Sequence, residues 1–247
     1  MEVIDTPRYQ LQLIPDFPLP GPNHVTWVRC RSGEADEVID EATAIAADRG
    51  LRLAWILDPE TEPADFGERL MARGIMPEEG GGGKSAVMIL PAASKLEVSP
   101  AAGMEIRDSL ADLDSFEAAE RVAAEAFAGV PFGDPTGLEA TRQRRYANNR
   151  ANPDRHGLLA TIDGEPAGSG TLLVHAPRGA VINGGAVRPK FRGRGVYRAL
   201  VAARLRIASE AGAAGLVVWG GHMSAPILAG LGFETVSWRR FYQPPVS

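Results

Sequence analysis

The stretch RPKFRGRGVYRAL at residues 188–200 constrains this chain more than any other part of it. It follows an apolar run that ends at Val187 and leads into a stripe of helical period formed by Val196, Leu200, Ala203 and Ile207. A strand, a tight loop and a helix are therefore predicted in direct succession. Glycines at 193 and 195 let successive backbone N–H groups turn toward one point. The helix N-terminus adds about half a positive charge, and the neighbouring arginines add whole ones. Such a loop is a cradle for an anion of pyrophosphate size.

The segments around the loop alternate between strand and helix periodicity, which makes an α/β chain with a mixed sheet. Strands are expected at 104–107, 157–162, 167–175, 180–187, 215–219 and 234–242, with Asp163-Gly164 as a hairpin turn. Helices are expected at 111–128, 137–148, from Val196 to Gly212, and at 223–229. Upstream, strands at 24–30, 51–57 and 86–90 accompany a helix over 36–47 and a shorter one between Pro63 and Gly74. The small, polar stretch at 92–103 separates two segments, so domains are expected at 1–98 and 102–247. The segments echo each other. LAWI at 53–56 followed by LMARGI at 70–75 parallels LVVW at 216–219 followed by LAGLGF at 228–233, as one degenerate unit used twice would.

Composition narrows the class of protein. With 247 residues, 45% hydrophobic and 23% charged, the chain can bury a core without staples. Cys30 is the sole cysteine, which excludes a disulfide framework and thiolate zinc clusters and suits a reducing, cytoplasmic setting. The four histidines show no metal-ligand spacing, so no metal is expected. Neither a secretion signal nor an apolar span is apparent, and no membrane partner is expected. The net charge of −5 hides an asymmetry: residues 1–100 sum to −8 and residues 101–247 to +3. The excess cations cluster at Arg142, Arg144, Arg145, Arg150 and Arg155, and again at Arg188, Lys190, Arg192, Arg194, Arg198, Arg204 and Arg206. The overall balance is too acidic, and the strands too poor in aromatic residues, for a nucleic-acid binder.

The loop resembles motif A of the GNAT acyltransferase superfamily, [Q/R]-x-x-G-x-[G/A], with Arg192, Gly195 and Tyr197 at the three defining positions. Val187, Pro189 and Arg194 fit the common context, and LGF at 231–233 fits the end of motif B. The resemblance covers 102–247. It implies a GNAT-like α/β fold that binds acetyl-CoA as cosubstrate and moves its acetyl group to an amine of a small molecule or peptide. The pyrophosphate would be held by Arg192, Gly193, Arg194, Gly195, Val196, Tyr197 and Arg198, and the thioester end by the strand amides of Gly185, Ala186 and Val187. Tyr197 departs from the small residue usual at its position. A tyrosine acid is often found where this chain has Leu228.

Glu125, His222 and Tyr146 are the remaining acid–base candidates, each with an ordinary structural role as the competing reading. The N-terminal unit reads as a degenerate, non-catalytic counterpart, since Arg31-Ser32-Gly33-Glu34 stands at its loop position with acids nearby. Two other classes compete with an enzyme: a non-catalytic acyl-CoA-binding or regulatory module, and an interaction scaffold with a vestigial loop. A homo-oligomer stays open. GGGGKS at 80–85 evokes a phosphate loop, but Glu78 replaces its first glycine and a strand pattern follows it, so a hairpin tip is expected.

Overall fold

A computed structural model describes residues 2–14, 23–78, 83–96, 98–129 and 141–244. The chain forms two compact units that are not sequential: Met1–Val87 with Gly220–Pro226 and Thr235–Ser247, and Met88–Trp219 with Ile227–Glu234.

The first unit contains β1 (Glu2–Asp5), β2 (Gln10–Leu13), β3 (His24–Thr26), α1 (Ala35–Ala47), β4 (Ala54–Leu57), α2 (Phe66–Ala72) and β5 (Met76–Pro77). The chain then enters β6 (Lys84–Pro91), whose first residues lie in this unit and whose remainder lies in the second. In the second unit follow β7 (Met104–Asp108), α3 (Leu113–Ala128), α4 (Arg142–Arg150), β8 (Arg155–Ile162), β9 (Glu165–His175), β10 (Gly179–Val187), α5 (Val196–Glu210) and β11 (Gly215–Gly220). A short α6 (Ala225–Ala229) and β12 (Glu234–Gln243) complete the chain.

Within the first unit the strands run β1-β2-β3-β4-β12, with β5 on β12. β3 and β4 are parallel, as a helical crossover through α1 requires, and β12 returns antiparallel to β4 with Phe241 opposite Ile56. Val38, Ile39, Ala42 and Ala46 put one face of α1 into a core with Tyr9, Leu11, Leu13, Trp55, Phe66, Leu70 and Tyr242. β1 and β2, which periodicity missed, are too short to register as a pattern; Leu11 and Leu13 alternate inward over only four residues.

Within the second unit the order is β6-β11-β10-β9-β8-β7. Side chains alternate across the sheet. Leu158, Ala160 and Ile162 of β8 face Val196 and Leu200 of α5, while Leu159 joins Val122 of α3 and Ala186. Gly168 is what allows α5 so close, because a Cβ there would meet the Val196 side chain at 2.5 Å. Asp112 caps α3 by accepting the Ser115 N–H at 2.7 Å, and these bonds hold its carboxyl below the usual range. The helix expected over 137–148 is described as α4 from Arg142; residues 130–140 lie outside the described residues.

The repeated segments close in the same way. Ile75 N–H donates to Leu70 O at 3.0 Å and Phe233 N–H to Leu228 O at 3.1 Å, and Gly74 and Gly232 take φ of 73° and 89°.

Candidate active site

Two local backbone features converge on the amino end of α5. The first is the loop itself. A 3-10 turn at Pro189–Phe191 leads to Arg192, then Gly193 at φ 76° and Gly195 at φ 78°, and the helix begins at Val196. Both glycines occupy the left-handed region that side-chain-bearing residues avoid. Phe191 is buried beneath this turn and anchors it, with the cationic ends of Arg188, Lys190 and Arg194 within 5.7 Å of its ring centre. Arg192, Gly193, Arg194 and Arg198 are exposed, and none of the three arginines has a carboxylate partner among the described residues.

The second feature is a bulge in β10. Its register with β9 runs from Gly179↔His175 to Asn183↔Thr171, then resumes at Ala186↔Ser169, leaving Gly184 and Gly185 across from Gly170 alone. Gly184 takes φ 59°. On its other side β10 pairs in parallel with β11 only at Ala180↔Leu216 and Val181↔Val217. Beyond that point the two strands carry no ladder. The bulge and the exposed residues Asn183 and Gly184 border this gap, so backbone donors there are available to a ligand.

Part of the cationic excess is neutralised within the fold. Glu117 pairs with Arg121 and Arg142, and Glu120 with Arg145. Arg188, nearly buried, donates through Nε to Glu125 Oε2 at 2.7 Å and through Nη1 to Glu165 Oε1 and Pro166 O, both at 2.9 Å. Lys190 also reaches Glu165, and these two cations hold that carboxyl below its ordinary range. At the start of α5, Arg192, Arg194 and Arg198 are exposed cations with no carboxylate partner among the described residues. Sequence patterning spread the positive charge over two clusters because it cannot see which glutamates fold against which arginines.

Each sequence candidate has a definite place. Gly185, Ala186 and Val187 form the bulge and its exit, and Arg192 to Arg198 form the loop and first helical turn. Tyr197 turns its ring back toward the strand: a Cβ built on Gly185 would come within 2.8 Å of Tyr197 Cε2. Glu125 is engaged by Arg188. The Tyr146 hydroxyl donates to Leu110 O at 3.2 Å and accepts from Arg150 at 2.8 Å, with its ring against Phe116. His222 is exposed in the turn after β11 and belongs to the first unit, whereas the loop belongs to the second. Leu228 is fully buried in α6. Of the phosphate-loop-like run, Gly83 and Lys84 are described; Lys84 opens a strand, with its ammonium 4.2 Å from the centre of the Trp238 ring. Among the described residues no group of three His, Cys, Asp or Glu is arranged to hold a metal. A cavity of about 690 Å³ lined by Met104, Ile106, His156, Arg206 and Ile207 has none of residues 192–198 in its wall.

Sequence reasoning missed Arg204. It was counted with the surface cations, yet it is 1% exposed. The signal was available, since Arg204 lies four residues after Leu200 and eight after Val196 on the buried stripe.

Residues 121–226 match the model of the acetyltransferase (GNAT) family. Among solved structures the chain is similar to a GCN5-related N-acetyltransferase from Kribbella flavida, with TM-score 0.69 and 17% identity over 100% of this chain and 90% of that one. A functionally unknown conserved protein from Staphylococcus epidermidis gives TM-score 0.71 and 14% identity, covering 98% and 92%. A tandem GNAT protein from the clavulanic acid biosynthesis pathway gives TM-score 0.58 and 18% identity, covering 97% and 79%. At these identities the likeness is one of fold. No curated protein matches the sequence significantly.

Proposed function

We propose that this protein is an N-acetyltransferase that moves an acetyl group from acetyl-CoA to an amine of a small molecule or peptide by direct attack. The observation that carries the reading is the pairing of two left-handed glycines at the start of α5 with a glycine bulge at the edge of a strand gap. The residues present fit such a donor: open N–H groups, three exposed arginines without carboxylate partners among the described residues, and glycines at 184 and 185. Arg192, Gly193, Arg194, Gly195 and Arg198 bind the pyrophosphate, adding full charges to the helix N-terminus. The amides of 185–187 orient the acyl carbonyl and stabilise the negative charge that grows on its oxygen. Acetyl-CoA supplies a thioester whose C–S bond breaks as the amine forms an amide, releasing the thiol.

The acceptor must arrive as a free amine. A lysine-like group has a pKa near ~10.4, so a proton must leave it before or during attack. Glu125 and Tyr146 are held by structural partners, so the proton passes to bulk solvent or to a base that the acceptor itself carries. The thiol, near ~8.5, departs as thiolate with little assistance, which makes Leu228 tolerable in place of an acid.

The N-terminal unit is a degenerate, non-catalytic copy in this reading. At its corresponding helix start Glu34 accepts the Arg31 N–H at 2.9 Å, and Asp36 and Glu37 follow in the first turn, so carboxylates occupy the place an anion would take. A second reading, a non-catalytic acyl-CoA-binding module, is favoured by buried Leu228 and by the engagement of Glu125 and Tyr146.

Calorimetric titration of acetyl-CoA into the wild type and a Gly195→Glu variant tests the proposal, together with thiol release over a panel of amines. Binding by the wild type alone, with amine-dependent thiol release, supports the transferase. Binding without release supports the module, and the absence of wild-type binding overturns both.

A further inference from the structure

Arg204 is a charged side chain buried in the second unit, with 1% of its surface exposed. It stands on the third turn of α5 with its guanidinium beneath the β10 bulge. Nε donates to Leu200 O at 3.0 Å, and Nη1 reaches two strand carbonyls, Thr171 O and Asn183 O, each at 3.4 Å. Nη2 has no hydrogen-bond partner among the described residues although it is sealed from solvent. Burial pushes the group down to about 10, so it remains a cation at neutral pH.

The sheet has given up side chains to hold it. A Cβ at Gly170 would lie 3.0 Å from Nη1, and one at Gly185 would lie 3.4 Å from Nη2. These are the residues on the two sides of the bulge. An aliphatic residue at 204 would continue the stripe of Val196 and Leu200 without any desolvation cost, and replacing a buried charge with an apolar side chain is often neutral or stabilising. Stability alone therefore does not account for an arginine here.

Asn183 O, which the guanidinium engages, belongs to the same peptide unit as the N–H of Gly184. A cation on the carbonyl draws electron density from the amide and strengthens the N–H as a donor, an effect larger in a low-dielectric surrounding. The unused Nη2 places further positive potential under Gly185. Resting on the acetyltransferase reading above, we propose that Arg204 is a positioning residue that holds the β10 bulge open, strengthens the Gly184 N–H as a donor at its mouth and sets positive potential under the Gly185 amide that faces the acyl carbonyl.

The test compares acetyl-CoA with CoA, which lacks the carbonyl, in the wild type and in Arg204→Met, Arg204→Lys and Gly170→Ala variants of the full chain. Arg204→Met should bind CoA within about twofold of wild type, lose its preference for acetyl-CoA over CoA, and lose about tenfold or more in kcat. The carbonyl stretch of bound acetyl-CoA should move back toward its frequency in water. Arg204→Lys should recover part of both. Gly170→Ala keeps the charge but crowds Nη1, so it should show a smaller loss of the same preference, and it stands in if Arg204→Met fails to fold.

A wild-type acetyl-CoA preference and carbonyl frequency that persist in Arg204→Met, or in Gly170→Ala if Met is not tolerated, overturn the proposal and leave the transferase reading intact. Equal loss of CoA and acetyl-CoA binding with a lowered Tm also overturns it, by showing a purely structural role. A wild type that binds neither ligand overturns the reading on which it rests.

Discussion

The ring of Tyr197 rests on the backbone of Gly185, so close that a single methyl group at 185 would lie 2.8 Å from Cε2. The bulky residue at a position that is small in motif A and the glycine in the strand before it are thus a matched pair. The ring at 197 is accommodated by the absence of a side chain at Gly185 on β10.

Gly185→Ala should therefore lower stability by about 1–3 kcal/mol through overpacking. The double variant Gly185→Ala with Tyr197→Ala should recover most of that loss, because the ring that is struck has been removed. Denaturant unfolding of the four proteins in the cycle measures the coupling, and additive losses would show that the two residues do not meet.

Gly193 isolates backbone conformation from contact. Nothing lies within 4 Å of a Cβ built there, but its φ is 76°. Gly193→Ala should cost about 1 kcal/mol from the left-handed backbone alone, and should weaken acetyl-CoA binding as the loop relaxes. Urea unfolding and calorimetry check the two effects, and an unchanged midpoint would contradict the local geometry.

Glu125 is predicted to act on stability more than on chemistry. Removing its charge takes from Arg188, itself nearly buried, the carboxylate 2.7 Å from its Nε, at a cost of up to about 3 kcal/mol. Glu125→Gln should lower Tm while the pH profile of kcat/KM keeps its shape. Tyr146→Phe, which loses the bond to Leu110 O, should behave in the same way with a smaller drop. A lost or shifted limb in either profile would make that residue an acid or base.

Tyr9 controls the alkaline limit of the first unit. Burial, aided by the bond from its hydroxyl to Glu41 at 2.9 Å, pushes its phenol up to about 12. The unfolded chain would ionise near ~10, so the native state holds this proton more tightly. The associated stability is full below that pH and is lost as pH rises through about 12. In tyrosinate absorbance at alkaline pH, one phenol should titrate late, and Tyr9→Phe should remove that step.

Much of the candidate site was legible without coordinates because its requirements are local. The glycine turns at 193 and 195 and the helix stripe from Val196 are each written in a few adjacent residues, and the structure has both, whereas the bulge at 184–185 emerged only with the pairing of β10 to β9. The strands at 104–108, 155–162, 165–175 and 179–187 fell close to their expected places for the same reason: alternation over five or more residues leaves little choice of face. The four-residue strands β1 and β2 gave no such signal.

What only the tertiary structure decided depends on chain segments far apart. Which carboxylates pair with Arg142, Arg145 and Arg188 was settled when α4 and the end of β10 came against α3. The return of β12 to pair with β4 joins residues some 180 positions apart, and no periodicity records it. Arg204 shows the division most clearly: the sequence by itself put it on the inner stripe of a helix, but only the fold, by bringing Gly170, Asn183 and Gly185 around it, made it a buried cation beneath the bulge.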